Sequence, residues 1–64
     1  MSKYIGYYVQ VWTEADGTER VGAEQTAVAI AETQENAEIV LYGTLAKVSI
    51  NGSEARLTRI VQVA

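Results

Sequence analysis

Two rows of side chains alternate along YIGYYVQVW, residues 4–12. Ile5, Tyr7, Val9 and Val11 point to one side of an extended chain; Tyr4, Gly6, Tyr8, Gln10 and Trp12 point to the other. The enrichment in β-branched and aromatic residues predicts a strand. The first row is continuously apolar and is expected to face the core. The second mixes aromatics with glycine and glutamine, and is expected to form an interface seam centred on Trp12 and Tyr8.

Ala15-Asp16-Gly17 then reverses the chain, since Asp-Gly suits the positive-φ positions of a tight hairpin. A return strand begins near Thr18 and contains Val21 and Ala23. A two-residue Asp16-Gly17 turn would set Trp12 opposite Val21, and a three-residue bulged loop would set Val11 opposite Ala23; the pattern leaves both registers open. TAVAIAET, residues 26–33, either extends the return strand or forms a separate one.

TQENAEIVLYG, residues 33–43, predicts a helix. Thr33 is a suitable N-cap, Glu35 lies in the first turn, and Ala37, Val40 and Leu41 form an apolar stripe. Gly43 either closes the helix as a left-handed C-cap or sits inside a longer helix through Leu45 and Val48, at a cost of about 1 kcal/mol. The alternative is a small all-β barrel in which AEIVLYG and LAKVSI are strands. NGS, residues 51–53, marks a second turn, and EARLTRIVQVA a closing strand, with a short extra strand over residues 45–50 as a further option. The expected fold class is α+β: a small antiparallel sheet of three to four strands with one helix packed on it, in β-β-α-β order, as a single domain over residues 1–64.

Composition narrows the chemistry. Without cysteine or histidine, disulfides, thiolate metal ligands and the commonest nitrogen ligand are excluded. A chain of 64 residues builds a small core, so association with a partner chain is the stabilising route that remains. No apolar run is long enough to cross a membrane and no signal-peptide core opens the chain, so the expected location is cytoplasmic. The net charge of −3 is unevenly spread. Glu14, Asp16, Glu19, Glu24, Glu32, Glu35 and Glu38 face only Arg20 in the middle of the chain, whereas Lys47, Arg56 and Arg59 outnumber Glu54 afterwards.

Catalytic constellations are missing from this inventory. Ser2, Ser49 and Ser53 have no histidine base, and the glycines are scattered singly with no phosphate-cradling loop. Glu32/Glu35 and Glu35/Glu38 read as a solvated acidic helix face. Glu14, Asp16 and Glu19 lack the spacing of a calcium loop, and no cofactor is implied. Nucleic-acid binding would use Tyr4, Tyr8 and Trp12 as stacking platforms, but these recur roughly 13 Å apart. Arg56 and Arg59 would fall on opposite faces of a regular strand, and the acidic middle opposes phosphate. The sequence therefore points to a non-enzymatic small acidic protein-binding module, an inhibitor or accessory regulator of a larger protein, with Tyr4, Tyr8, Trp12, Glu32, Glu35 and Glu38 as the candidate interface. The alternatives are a homo-oligomer built through its aromatic face and, with less support, a nucleic-acid-binding sheet.

Overall fold

The computed structural model describes residues 1–49 and 52–64. Its elements are β1 (Ser2–Thr13), β2 (Glu19–Val21), β3 (Gln25–Ala31), α1 (Gln34–Val48) and β4 (Ser53–Gln62). The fold is α+β, an open antiparallel sheet with one helix rather than a closed barrel, and the return strand is split into β2 and β3. Long β1 is central. On one side it pairs with β4; on the other it pairs with β2 near the hairpin and with β3 towards its N-terminus.

The hairpin register is neither of the two expected. Val11 lies opposite Val21 and Trp12 opposite Arg20. Glu14 N–H donates to the Thr18 carbonyl at 2.7 Å and Gly17 N–H to the Glu14 carbonyl at 3.0 Å, leaving Ala15–Asp16–Gly17 as a three-residue loop. Gly17 takes φ +89°, the left-handed conformation that a three-residue hairpin requires. Between β2 and β3 the pairing slips by one residue, from Val11↔Val21 to Tyr8↔Gln25, so residues 22–24 carry the irregularity.

The helix begins where its capping residue directs. Thr33 is extended, and its side-chain oxygen accepts from Asn36 N–H at 3.1 Å. It continues past Gly43 to Val48, so the longer of the two helical readings holds and residues 45–48 form no extra strand. Ile50 and Asn51 lie outside the described residues; of the expected NGS turn, Gly52 is seen at φ +77°. A Cβ on Gly43 would meet nothing within 4 Å. Gly43→Ala is therefore expected to stabilise the domain by about 0.5–1 kcal/mol, measured as a higher urea midpoint at unchanged slope.

Strands β3 and β4 run parallel to each other on either side of β1, so β3-α1-β4 is a crossover connection. Such connections are almost invariably right-handed. In this sheet that hand places α1 over the even side of β1, the reverse of the expected facing. Tyr4, Tyr8, Ala29, Ala31, Ala37, Leu41 and Leu45 are buried there. Ala27, Ala29 and Ala31 of β3 share this face with Gly6 and form a shallow trough in which the helix lies close to the sheet. Ile5, Tyr7 and Val9, expected in the core, are only half-buried on the other face. Val11 is the exception at 3% exposure. It lies beneath the Arg56–Glu19 ion pair, which joins β4 to β2 across β1 at 2.7 Å.

Candidate functional site

The face of the sheet opposite α1 has no covering layer among the described residues. Antiparallel register assembles it: Ile5 lies between Val28 and Val61, Tyr7 between Thr26 and Arg59, and Lys3 beside Ile30. Val28 and Ile30 are each 53% exposed. Contiguous apolar side chains left in water on a domain this small are the informative kind of exposure.

A bulge in β4 completes this face. Tyr7 pairs with Arg59 and Tyr8 with Leu57, so Thr58 has no counterpart on β1. The Thr58 hydroxyl donates to the Tyr7 carbonyl at 3.0 Å and anchors the extra residue. Arg56 and Arg59 consequently share the open side, where regular alternation would have separated them. Leu57 and Ile60 both turn to the helix side and pack against the core. The Arg59 guanidinium carbon sits 4.0 Å from the centroid of the Tyr7 ring, a stacked cation–π arrangement. Arg56 is held by Glu19 and Glu54 at 2.7 and 3.2 Å, two carboxylates against one guanidinium at the hairpin end of this face. Lys3 and Arg59 have no ion-pair partner among the described residues, so the part of the open face around Tyr7 is locally basic on a chain of net charge −3.

The residues expected to form the interface are dispersed. Tyr4 is 4% exposed within the core. Tyr8 is 7% exposed, and its hydroxyl donates to Gln25 Oε1 at 3.1 Å. Trp12 is half-buried beyond the end of the helix: α1 spans roughly 22 Å, while β1 runs roughly 40 Å. Arg20 lies 5.5 Å from the Trp12 ring centroid, and Gly22 leaves room for the ring, since a Cβ there would come within 3.1 Å of Cζ3. An open groove of about 490 Å³ follows, lined by Tyr8, Gln10, Trp12, Gln25, Lys47, Val48 and Ser53. Much of its polar chemistry is engaged internally. Gln10 Nε2 donates to the Val48 carbonyl at 2.9 Å, and Gln10 Oε1 accepts from the Ser53 hydroxyl at 2.9 Å. Glu32 and Glu35 are exposed at the start of the helix and Glu38 is half-buried, away from the Trp12 end.

The acids of the hairpin are occupied by structure. Asp16 Oδ1 accepts from the Thr18 hydroxyl at 2.7 Å and the Thr18 N–H at 3.0 Å, which holds its carboxyl below the ordinary 3.8. Hydrogen bonding and charge from Arg56 likewise hold Glu19 below its ordinary 4.5. Among the described residues, no cluster of acidic side chains could hold a metal ion. Because both folded-state values are depressed, both contributions are present above the ordinary values and fade as the pH falls through the lowered ones. Melting temperature is expected to drop on acidification below about pH 4.5, and less steeply in Asp16→Asn and Glu19→Gln. Unchanged steepness in both variants would remove the assignment.

Comparison with protein-family models, with curated proteins and with solved structures found no match. No helix among the described residues is long and apolar enough to cross a membrane.

Proposed function

We propose that the chain is a non-enzymatic protein-binding module, an accessory or inhibitory regulator of a larger protein, and that it docks through the uncovered sheet face. The carrying observation is the apolar belt of Ile5, Val28, Ile30 and Val61 around the stacked Tyr7–Arg59 pair. Tyrosine and arginine are the residue types enriched at binding hot spots, and a stacked pair held on strands loses little freedom on docking. With Lys3 and Arg59 as its unpaired charges, this face fits an apolar partner surface rimmed by carboxylates. Glu35 lies in the first turn of α1, on the layer away from such a partner. Against the nucleic-acid alternative, Tyr4 and Tyr8 are buried and do not offer stacking platforms for bases.

The test is a protein captured from host lysate, identified, and titrated into isotope-labelled chain. Amide shifts are expected along residues 3–9, at Val28 and Ile30, and at Arg59 and Val61. The Tyr7→Ala/Arg59→Ala double variant, checked as folded, is expected to bind at least about tenfold more weakly. Equal binding by that variant, or shifts confined to the Trp12 groove, would overturn the assignment of the docking face.

A further inference from the structure

Among the described residues the sheet is bounded by β4 on one side and by β3 and the short β2 on the other, and the chain treats the outer edges of β3 and β4 differently. The outer edge of β4 is interrupted by the bulge at Thr58 and carries Glu54, Arg56 and Arg59. Bulges and charges are the usual devices that stop an edge from recruiting another strand. The outer edge of β3 has neither: QTAVAIA is uncharged, regularly paired along β1, and free of proline and glycine.

Its main-chain groups are also directed outward at the right positions. Gly22 N–H donates to the Gln10 carbonyl, so even residues of β1 turn their peptide groups towards the β2 and β3 side. The Tyr7 carbonyl accepts from Thr58, and Lys3 bonds Val63, so odd residues turn towards β4. In an antiparallel ladder, Ala29, Ala27 and Gln25 then exchange bonds with Tyr4, Gly6 and Tyr8. Thr26, Val28 and Ile30 direct their N–H and C=O groups away from the sheet.

We infer that this edge pairs with the β3 edge of a second copy of the chain, antiparallel about a two-fold axis through Ala29. The strand is self-complementary in that register. Val28 lies opposite Ile30 of the second copy, Ala27 opposite Ala31, and Thr26 opposite Glu32, each contact occurring twice. A register centred on Val28 instead sets Glu24 against Glu32 at both ends, like charge against like. One centred on Ala27 sets Ile30 against Glu24. The axis stands normal to the sheet, so both helices lie on one side and the two open faces merge on the other. Val28 and Ile30 move from the margin of a small apolar face to the middle of one twice as large. This pairing uses main-chain groups and does not depend on the Tyr7–Arg59 docking surface.

The chain contains no cysteine, so engineered thiols report on the register directly. Sedimentation of the wild-type chain across a dilution series is expected to show a dimer dissociating to a monomer, with the Val28 and Ile30 amides protected from exchange at the concentrated end only. An equimolar mixture of Val28→Cys and Ile30→Cys is expected to crosslink about tenfold more than either variant alone, since opposed residues lie within disulfide reach. Val28→Pro, which removes one outward N–H, is expected to give a folded monomer, whereas Tyr7→Ala/Arg59→Ala stays dimeric. A monomer at all concentrations up to about 1 mM overturns the inference. So does a dimer whose Val28 and Ile30 amides exchange freely, preferential self-crosslinking of Val28→Cys, or protection that appears only when a different protein is added.

Discussion

Tyr4→Ala is expected to unfold the domain at or near room temperature, while Tyr7→Ala leaves it folded. The two residues lie on the same strand and differ in which face they serve. Tyr4 is 4% exposed and packs in one cluster with Ala29, Ala31, Ala37 and Leu41. Truncating a buried aromatic removes its transfer free energy and leaves a cavity, together about 3–5 kcal/mol. A core of this size rarely supplies more than about 3–5 kcal/mol of net stability. Tyr7 is half-buried with its ring stacked beneath Arg59, so its loss forfeits partial burial and an exposed cation–π contact, about 1–2 kcal/mol in all. Urea unfolding curves of both variants decide the matter. Equal destabilisation, or a larger loss from Tyr7→Ala, would contradict the helix-side assignment of the even row.

That assignment shows where the chain could be read and where it could not. The strand, the hairpin position, the threonine cap and the closing strand follow from local signals: alternation, Asp-Gly, a hydroxyl ahead of the first helical turn, and a final β-rich run. Which face of β1 is covered does not follow from hydrophobicity, because both rows are largely apolar. It follows from the parallel relation of β3 and β4 around β1 and the hand of the connection between them. The side-chain sizes carried a second signal. Ala27, Ala29 and Ala31 alternate with Thr26, Val28 and Ile30, and the small row marks the side on which a helix can approach.

The candidate site was illegible for a related reason. One extra residue at Thr58 moves Arg59 onto the face of Arg56 and beneath it places Tyr7. Nothing in SEARLTRIVQ marks that residue as the bulge; the glycines that often do are elsewhere. The hairpin register differs on the same scale, by one position from the two-residue turn and by two from the bulged loop. The facing of the aromatic stretch is the reverse of the expected one: Tyr4 and Tyr8 serve the core, and Tyr7 lies half-buried on the open face.

A tight contact between helix and sheet gives the second large effect, at Gly6. A Cβ built there would come within 2.7 and 2.9 Å of Leu41 Cδ1 and Cδ2, and 3.1 Å of Leu57 Cδ1. These are branch ends of side chains, but Leu41 is fully buried and has little room to turn. Gly6→Ala is therefore expected to cost about 1–3 kcal/mol by overpacking, despite the better strand propensity of alanine. Gly6→Val, with two further methyl groups in the same gap, is expected to abolish folding. Leu41→Ala alone empties the centre of the core and costs about 3–5 kcal/mol. Combined with Gly6→Ala it should cost no more than Leu41→Ala by itself, because the added methyl group then enters space that the leucine has vacated. The three variants and the wild type form a double-mutant cycle, measured by urea unfolding in a stabilising osmolyte so that the weakest remain folded at the start. A coupling of at least about 1 kcal/mol, in the direction of relief, is expected from this contact. Strict additivity would mean that the helix does not press on β1 at Gly6, and the trough of glycine and alanines would lose its role in setting the helix against the sheet.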